Sequence, residues 1–180
     1  MNTTSPQEIA VQIITRVLDQ FTYHQQERKV WPVAVGRSWM VKIQLHRADT
    51  PRAVGERGSH IKAIDQLAAA IGAKAGTNIR TQLIEPEVGL PERYHKFKPS
   101  ENWNADQVKA LAVDIAESVF MSQAKIELRD TADFTSTLEI TVDRSENRLL
   151  VDTVQSALKI LFNAIGKANG RILFVDIVAA

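Results

Sequence analysis

Two stretches of this chain can be laid over one another at a fixed offset, and that offset constrains the fold more than any other feature. A shift of 94 residues pairs Ala63 with Ala157, Leu67 with Leu161, Ala70 with Ala164, Ile71 with Ile165, Gly72 with Gly166 and Gly76 with Gly170. Upstream, Arg47 meets Arg144 at a shift of 97, so the second copy is three residues shorter at the point where the offset changes. The matched Ala-Ile-Gly at 70–72, with Gly76 behind it, carries most of the weight, because lone Ala, Leu and Ile match by chance. A chain written twice folds as two similar units. Its 180 residues then make two units of about 80 residues each, joined by a linker.

Local patterning gives both copies the same order of elements. Ser5, Pro6 and Glu8 form a capping signature, and the apolar residues from Ile9 to Leu18 recur mostly at helical spacing, predicting a helix over about 6–22. Residues 30–35 are β-rich, with Pro32 marking an edge strand or a bulge. Trp39, Val41, Ile43 and Leu45 then alternate with Met40, Lys42, Gln44 and His46, a strand with one apolar face. A loop, a helix over about 56–74 stopped near Gly76, and a strand over 79–84 complete the first unit. The stretch 85–100 holds Pro86, Gly89, Pro91 and Pro99 and reads as a linker. After it, Asn104 and Gln107 suggest a second capping box, and Val108, Leu111, Ala112, Ile115, Val119 and Phe120 make a helical stripe. Strands near 124–129 and 134–143, a helix over 146–167 and a strand over 171–178 follow. The expected class is α+β, with α-β-β-α-β twice and each three-stranded sheet covered by helices. The boundaries are 1–86, a linker 87–102, and 103–180.

Composition excludes several functions. There is no Cys, which removes disulfides, thiol catalysis and Cys-ligated zinc. No uninterrupted apolar run approaches the ~20 residues of a membrane span, and the first residues lack a cationic stretch followed by an apolar one. We therefore expect a cytoplasmic protein with no membrane association. His24, His46, His60 and His95 do not have metal-ligand spacing, and no phosphate-binding, dinucleotide-binding or nucleophile-elbow motif is present. Asp114 and Glu117, three apart, read as a charged helix face, and Ser59 beside His60 does not make a nucleophile–base pair. The expectation is no enzyme, no catalytic residue, no metal and no cofactor.

One motif is specific. Residues 51–64 read Pro-Arg-Ala-Val-Gly-Glu-Arg-Gly-Ser-His-Ile-Lys-Ala-Ile. An apolar residue, then Gly-x-x-Gly, then x-x-Ile-x-x-Ile, placed after an alternating strand, resembles the signature of the KH-domain family. The order of elements over residues 6–84 resembles the type II KH arrangement of bacterial RNA-binding proteins. That resemblance implies a loop that clamps about four backbone nucleotides of a single strand. Gly55 and Gly58 would let a sugar-phosphate chain approach the peptide groups, and the helix that follows would offer free N–H groups to phosphate. Arg57 is the loop's cation, Glu56 opposes it, and Arg47, Arg52, Ser59, His60 and Lys62 flank it. Ile61 and Ile64 would seat the helix and line the groove floor, which plain core packing explains equally well.

Charge agrees with that placement. The net charge is only +1, but residues 1–90 hold eleven basic and eight acidic side chains, while residues 91–180 hold eleven and thirteen. From Arg37 to Lys62, six basic residues face Asp49 and Glu56 alone. The second copy reads Asp-Arg-Ser-Glu-Asn-Arg-Leu-Leu-Val-Asp at 143–152, with no Gly-x-x-Gly, and departs from the family pattern. We carry no binding residue onto it; it would stabilise the first unit, extend its surface, pair with a second copy of the chain or take a protein partner. The linker run Arg-Tyr-His-Lys-Phe-Lys at 93–98 is a secondary nucleic-acid candidate. The expected function is single-stranded RNA binding within a ribonucleoprotein or RNA-regulatory complex. The alternatives are single-stranded DNA binding, or protein interaction on a KH-like scaffold.

Overall fold

The computed structural model describes residues 4–85 and 103–180. The linker assigned to 87–102, with its run at 93–98, lies outside them. The first unit comprises α1 (Pro6–Asp19), β1 (Lys29–Val35), β2 (Ser38–Gln44), α2 (Thr50–Val54), α3 (Ser59–Lys74) and β3 (Asn78–Ile84). The second comprises α4 (Ala105–Val119), β4 (Lys125–Ala132), β5 (Thr135–Val142), α5 (Arg148–Ala168) and β6 (Ile172–Ala179). The class is α+β, and each unit contributes one three-stranded sheet.

The two sheets share one strand order and the register of their parallel pairs, while β4 carries an irregularity between Asp130 and Ala132. In the first, β2 is central, antiparallel to β1 and parallel to β3, with Ser38 opposite Asn78. In the second, β5 is central, antiparallel to β4 and parallel to β6, with Thr135 opposite Ile172. Ser38 to Thr135 is a step of 97 residues and Asn78 to Ile172 a step of 94, the two offsets of the sequence alignment. Pro32 sits on edge strand β1, where its missing N–H costs no ladder bond on the open side.

The matched glycines are where helix and strand meet. A Cβ on Gly72 would lie 2.7 Å from Thr77 O and 2.9 Å from Ile79 N. On Gly166 it would lie 2.9 Å from Arg171 O and 3.0 Å from Leu173 N. In each unit that glycine's carbonyl also accepts the N–H five residues on, Thr77 at 2.9 Å and Arg171 at 2.8 Å. The same contact thus turns each long helix back along its returning strand.

Helix boundaries follow local chemistry. The Glu8 carboxylate accepts the Ser5 N–H at 2.9 Å and its hydroxyl at 2.7 Å, starting α1. Asn104 Oδ1 accepts the Gln107 N–H at 3.0 Å, starting α4. Helix α1 ends at Asp19, three residues before the expected 22, and the Thr22 hydroxyl closes its last turn on Leu18 O at 2.8 Å. Two expectations are corrected between β2 and α3. Residues 50–54, read as loop, form α2, and the helix expected from about 56 begins at Ser59.

The helices cover one face of each sheet and meet each other, so one apolar core runs through both units. Val41, Ile43 and Ile79 face α1 and α3 from the first sheet, and Leu138, Ile140, Leu173 and Val175 face α4 and α5 from the second. Between units, Lys74 Nζ donates to Glu117 O and, at 2.5 Å, to Phe120 O, placing a cation on the negative end of α4. Arg16 pairs with Asp114 nearby. By length and composition α5 could cross a membrane, with mean hydropathy 1.3. Its apolar face, including Val154, Leu158, Leu161, Phe162 and Ile165, is instead buried in the core.

The free edge of β3 is secured by Asp65 of α3. Its carboxylate accepts the Thr81 N–H at 2.7 Å and Arg80 Nε at 2.9 Å. Burial pushes the Asp65 pKa up, but the hydrogen bonds from Arg80 and Thr81 outweigh it and hold the carboxyl below its ordinary 3.8. A depressed native pKa stabilises the fold above the unfolded value and loses that contribution as pH falls through the native one. Asp65→Asn should therefore lower the urea midpoint near neutral pH and flatten its fall below about pH 4, measured by urea titration across pH. Gly72→Ala and Gly166→Ala should each cost about 1–3 kcal/mol in the same titration, because backbone must move to admit the methyl.

Candidate nucleic-acid interface

The glycine loop is held from below. After β2, Leu45 is buried, and the His46 carbonyl accepts the N–H groups of Asp49 at 3.0 Å and Thr50 at 3.2 Å, turning the chain into α2. Pro51 in the first turn of α2 loses nothing by lacking an N–H. Asp49, 1% exposed, then binds across to the segment that leaves α1. Its Oδ2 accepts the Tyr23 N–H at 3.0 Å, the His24 N–H at 2.7 Å and His24 Nδ1 at 3.2 Å. Its Oδ1 accepts Arg52 Nη1 at 3.3 Å. The Arg52 guanidinium in turn lies 4.4 Å over the Tyr23 ring, a cation–π contact. The His24 and His46 rings stack with centroids 3.9 Å apart.

The loop itself occupies backbone space that glycine makes accessible. Gly55 has φ 70° and ψ 177°, a region essentially confined to glycine. Glu56–Gly58 form a single 3₁₀ turn, with left-handed backbone at Arg57 (φ 51°) and Gly58 (φ 77°). This is why α3 starts at Ser59 rather than 56. The His60 ring lies under Gly55, where an added Cβ would come within 2.5 Å of its Cγ. His60 Nδ1 bonds the Arg52 carbonyl at 2.6 Å, and the ring packs on Phe21 with centroids 5.6 Å apart. Gly58 is different: a Cβ there meets nothing closer than 3.9 Å.

The predicted residues thus separate into two sets. Glu56, Arg57 and Lys62 are exposed, and among the described residues none of the three has an ion-pair partner. Gly58 and Ser59 open α3, whose first turn has no side-chain cap. Arg47 is also exposed. Arg52 and His60 instead face the loop's supports, Ile64 is fully buried and Ile61 packs on the core. Sequence reasoning missed Asp49, Tyr23 and His24; the signal available was Asp-Thr-Pro at 49–51, a helix start.

The second unit closes the corresponding place. Asn147 Oδ1 accepts the Leu150 N–H at 3.2 Å and so caps α5. Asp143 Oδ1 accepts the Ser145 N–H at 2.8 Å, and the Glu146 carboxylate takes the Ser122 N–H at 2.6 Å. Helix α5 begins at Arg148, two residues later than expected. Carboxylates and a side-chain cap stand where the first unit has an uncapped helix end and a cation.

Asp49→Ala should cost about 2–5 kcal/mol by chemical denaturation, because it strands two backbone donors and removes a charge partner of Arg52. Gly58→Asp should cost about 1 kcal/mol or less, because Asp tolerates left-handed backbone and the Cβ has room. No protein-family model matches the sequence, and no curated protein matches it significantly.

Proposed function

We propose that the chain is a non-catalytic, cytoplasmic protein that binds single-stranded RNA through the loop at 55–58 and the start of α3, on a KH-like first unit of type II. The observation that carries this is the junction itself. A left-handed turn at Arg57 and Gly58 runs directly into a helix of 16 residues whose first N–H groups have no side-chain cap, with Arg57 and Lys62 exposed beside it. The Ser59 N–H already donates to Glu56 O, and the positive end of the helix with the cations beside it favours a phosphate. The order of strands, with β2 between an antiparallel and a parallel neighbour, and the two helices between β2 and β3 support the type II comparison. Two bases for the grip, a peptide loop and a charge, give contacts to backbone rather than to base edges, so binding by one such loop is weak and single-stranded DNA competes. A second RNA-binding unit or a partner within a ribonucleoprotein would raise the affinity.

A second reading has its own observation. Met121 and Leu149 are about three-quarters exposed and line an open cleft of about 940 Å³ with Ala73, Val119 and Leu150. Apolar side chains displayed in a cleft suit a protein partner, which would make the seam between α3 and the second unit an assembly surface.

Fluorescence anisotropy of labelled oligouridine over a salt series separates these. Wild type should bind with an affinity that falls as salt rises, and Gly58→Asp should weaken binding at least tenfold while keeping its far-ultraviolet spectrum. Binding that ignores salt, or that survives Gly58→Asp unchanged, contradicts the loop reading.

A further inference from the structure

The three strands of the first sheet contain no Asp or Glu, and they hold Lys29, Lys42 and Arg80. The strands of the second sheet, in the same strand order, hold Glu127, Asp130, Glu139 and Asp176 against Lys125 and Arg129. Two sheets of one design therefore carry opposite charge, +3 and −2.

Register places those cations. Lys29, Trp31 and Val33 of β1 stand opposite Gln44, Lys42 and Met40 of β2, and these stand opposite Ile84, Gln82 and Arg80 of β3. Val41, Ile43 and Ile79 alternate with them and are buried under the helices, so the rows named form the outer face. Arg80 is held by Asp65 at the sheet edge. Among the described residues Lys29 and Lys42 make no ion pair. The result is an aromatic ring directly beside a lysine, with Val33 and Met40 next to them, and no carboxylate on any of the three strands.

This chemistry selects a flexible polyanion with flat uncharged faces. Bases of a single strand stack on an aromatic side chain while the phosphates take the cations, and the contact tolerates any sequence. A duplex would offer no free base face to Trp31.

The topology connects this face to the loop. Strands β2 and β3 are parallel, so α3 crosses back between them and its N-terminus lies at the C-terminal end of β2. The outer-face row nearest that end is Lys29, Gln44 and Ile84, followed by Trp31, Lys42 and Gln82, with Glu27 beside His46 just beyond the first row. We propose that the outer face of the first sheet is a second contact surface for single-stranded nucleic acid. A strand held at the loop continues over Gln44 onto Lys42 and Trp31, Trp31 stacks a base, and Lys29 and Lys42 neutralise phosphates. The continuation rests on the loop reading above, but the face has its own residues and can be tested apart from it.

The test compares fluorescein-labelled oligouridines of about four and about twelve nucleotides, the first short enough for the loop alone. Trp31→Ala and the double variant Lys29→Gln/Lys42→Gln should each weaken the longer oligomer about tenfold and leave the shorter one unchanged. The lysine variant should also reduce the slope of log affinity against log salt by about 1.4. Trp31→Phe should restore most of the loss. The proposal is overturned if both variants bind the longer oligomer like wild type, or if they weaken both lengths equally. Should Gly58→Asp abolish binding while the sheet variants do nothing, the loop stands and the face falls. If the sheet variants weaken the longer oligomer and Gly58→Asp changes nothing, the face stands and the loop falls.

Discussion

The structure depends on how closely a helix can lie against the strand that follows it. At Gly72 and at Gly166 the helix backbone comes within reach of the next strand's backbone, with no room for a methyl group. That approach fixes the direction of the long helix in each unit, and hence which of its faces meets the sheet and which meets the other unit. With both helices laid down the same way, α3 and α5 pack together, and Lys74 reaches the carbonyl end of α4. Placing α3 also places its N-terminus, and with it the loop at 55–58, at the C-terminal end of β2.

A second constraint acts on the loop. A buried carboxylate needs partners, and Asp49 finds them in two backbone N–H groups, a histidine and an arginine. These bonds tie α2 to the exit of α1. From there His60 fixes the loop by bonding the Arg52 carbonyl and filling the space under Gly55. The side chains nearest the motif are therefore divided by role. Those that point inward hold the backbone in an otherwise unfavourable conformation, and Glu56, Arg57 and Lys62, which point outward, have no ion-pair partner among the described residues. Rigid backbone beneath the helix N-terminus and the exposed cations would reduce the ordering cost of the single-strand grip proposed above.

Most of the fold was legible because it is periodic. The offsets of 94 and 97 in the sequence are the offsets of the strand registers, and the alternation from Trp39 to Leu45 marked the buried face correctly. Pro32 indicated an edge because a missing N–H is tolerated there. What was not legible depended on contacts between distant segments. Residues 50–54 are too few for a helical period to show, so α2 passed as loop although Asp-Thr-Pro announced it. Positive φ at Gly55, Arg57 and Gly58 delays α3 to Ser59, which a scan for helical spacing does not register. His60 looked like a ligand-facing residue beside the glycines; its contact with Phe21, 39 residues earlier, turns it inward. The outer face of β1 and β2 has no apolar period to mark it, and the pairing of Trp31 with Lys42 exists only once the two strands are in register.

The proposed grip of the loop and the first turn of α3 on a single strand can be read directly. Backbone amide chemical shifts, recorded while oligouridine is titrated into the intact chain, read that contact residue by residue. The largest changes should fall on Gly55, Arg57, Gly58, Ser59 and Lys62, and should shrink as salt rises. Changes confined to the cleft around Met121 and Leu149, or no change at the loop at saturating oligomer, would contradict it.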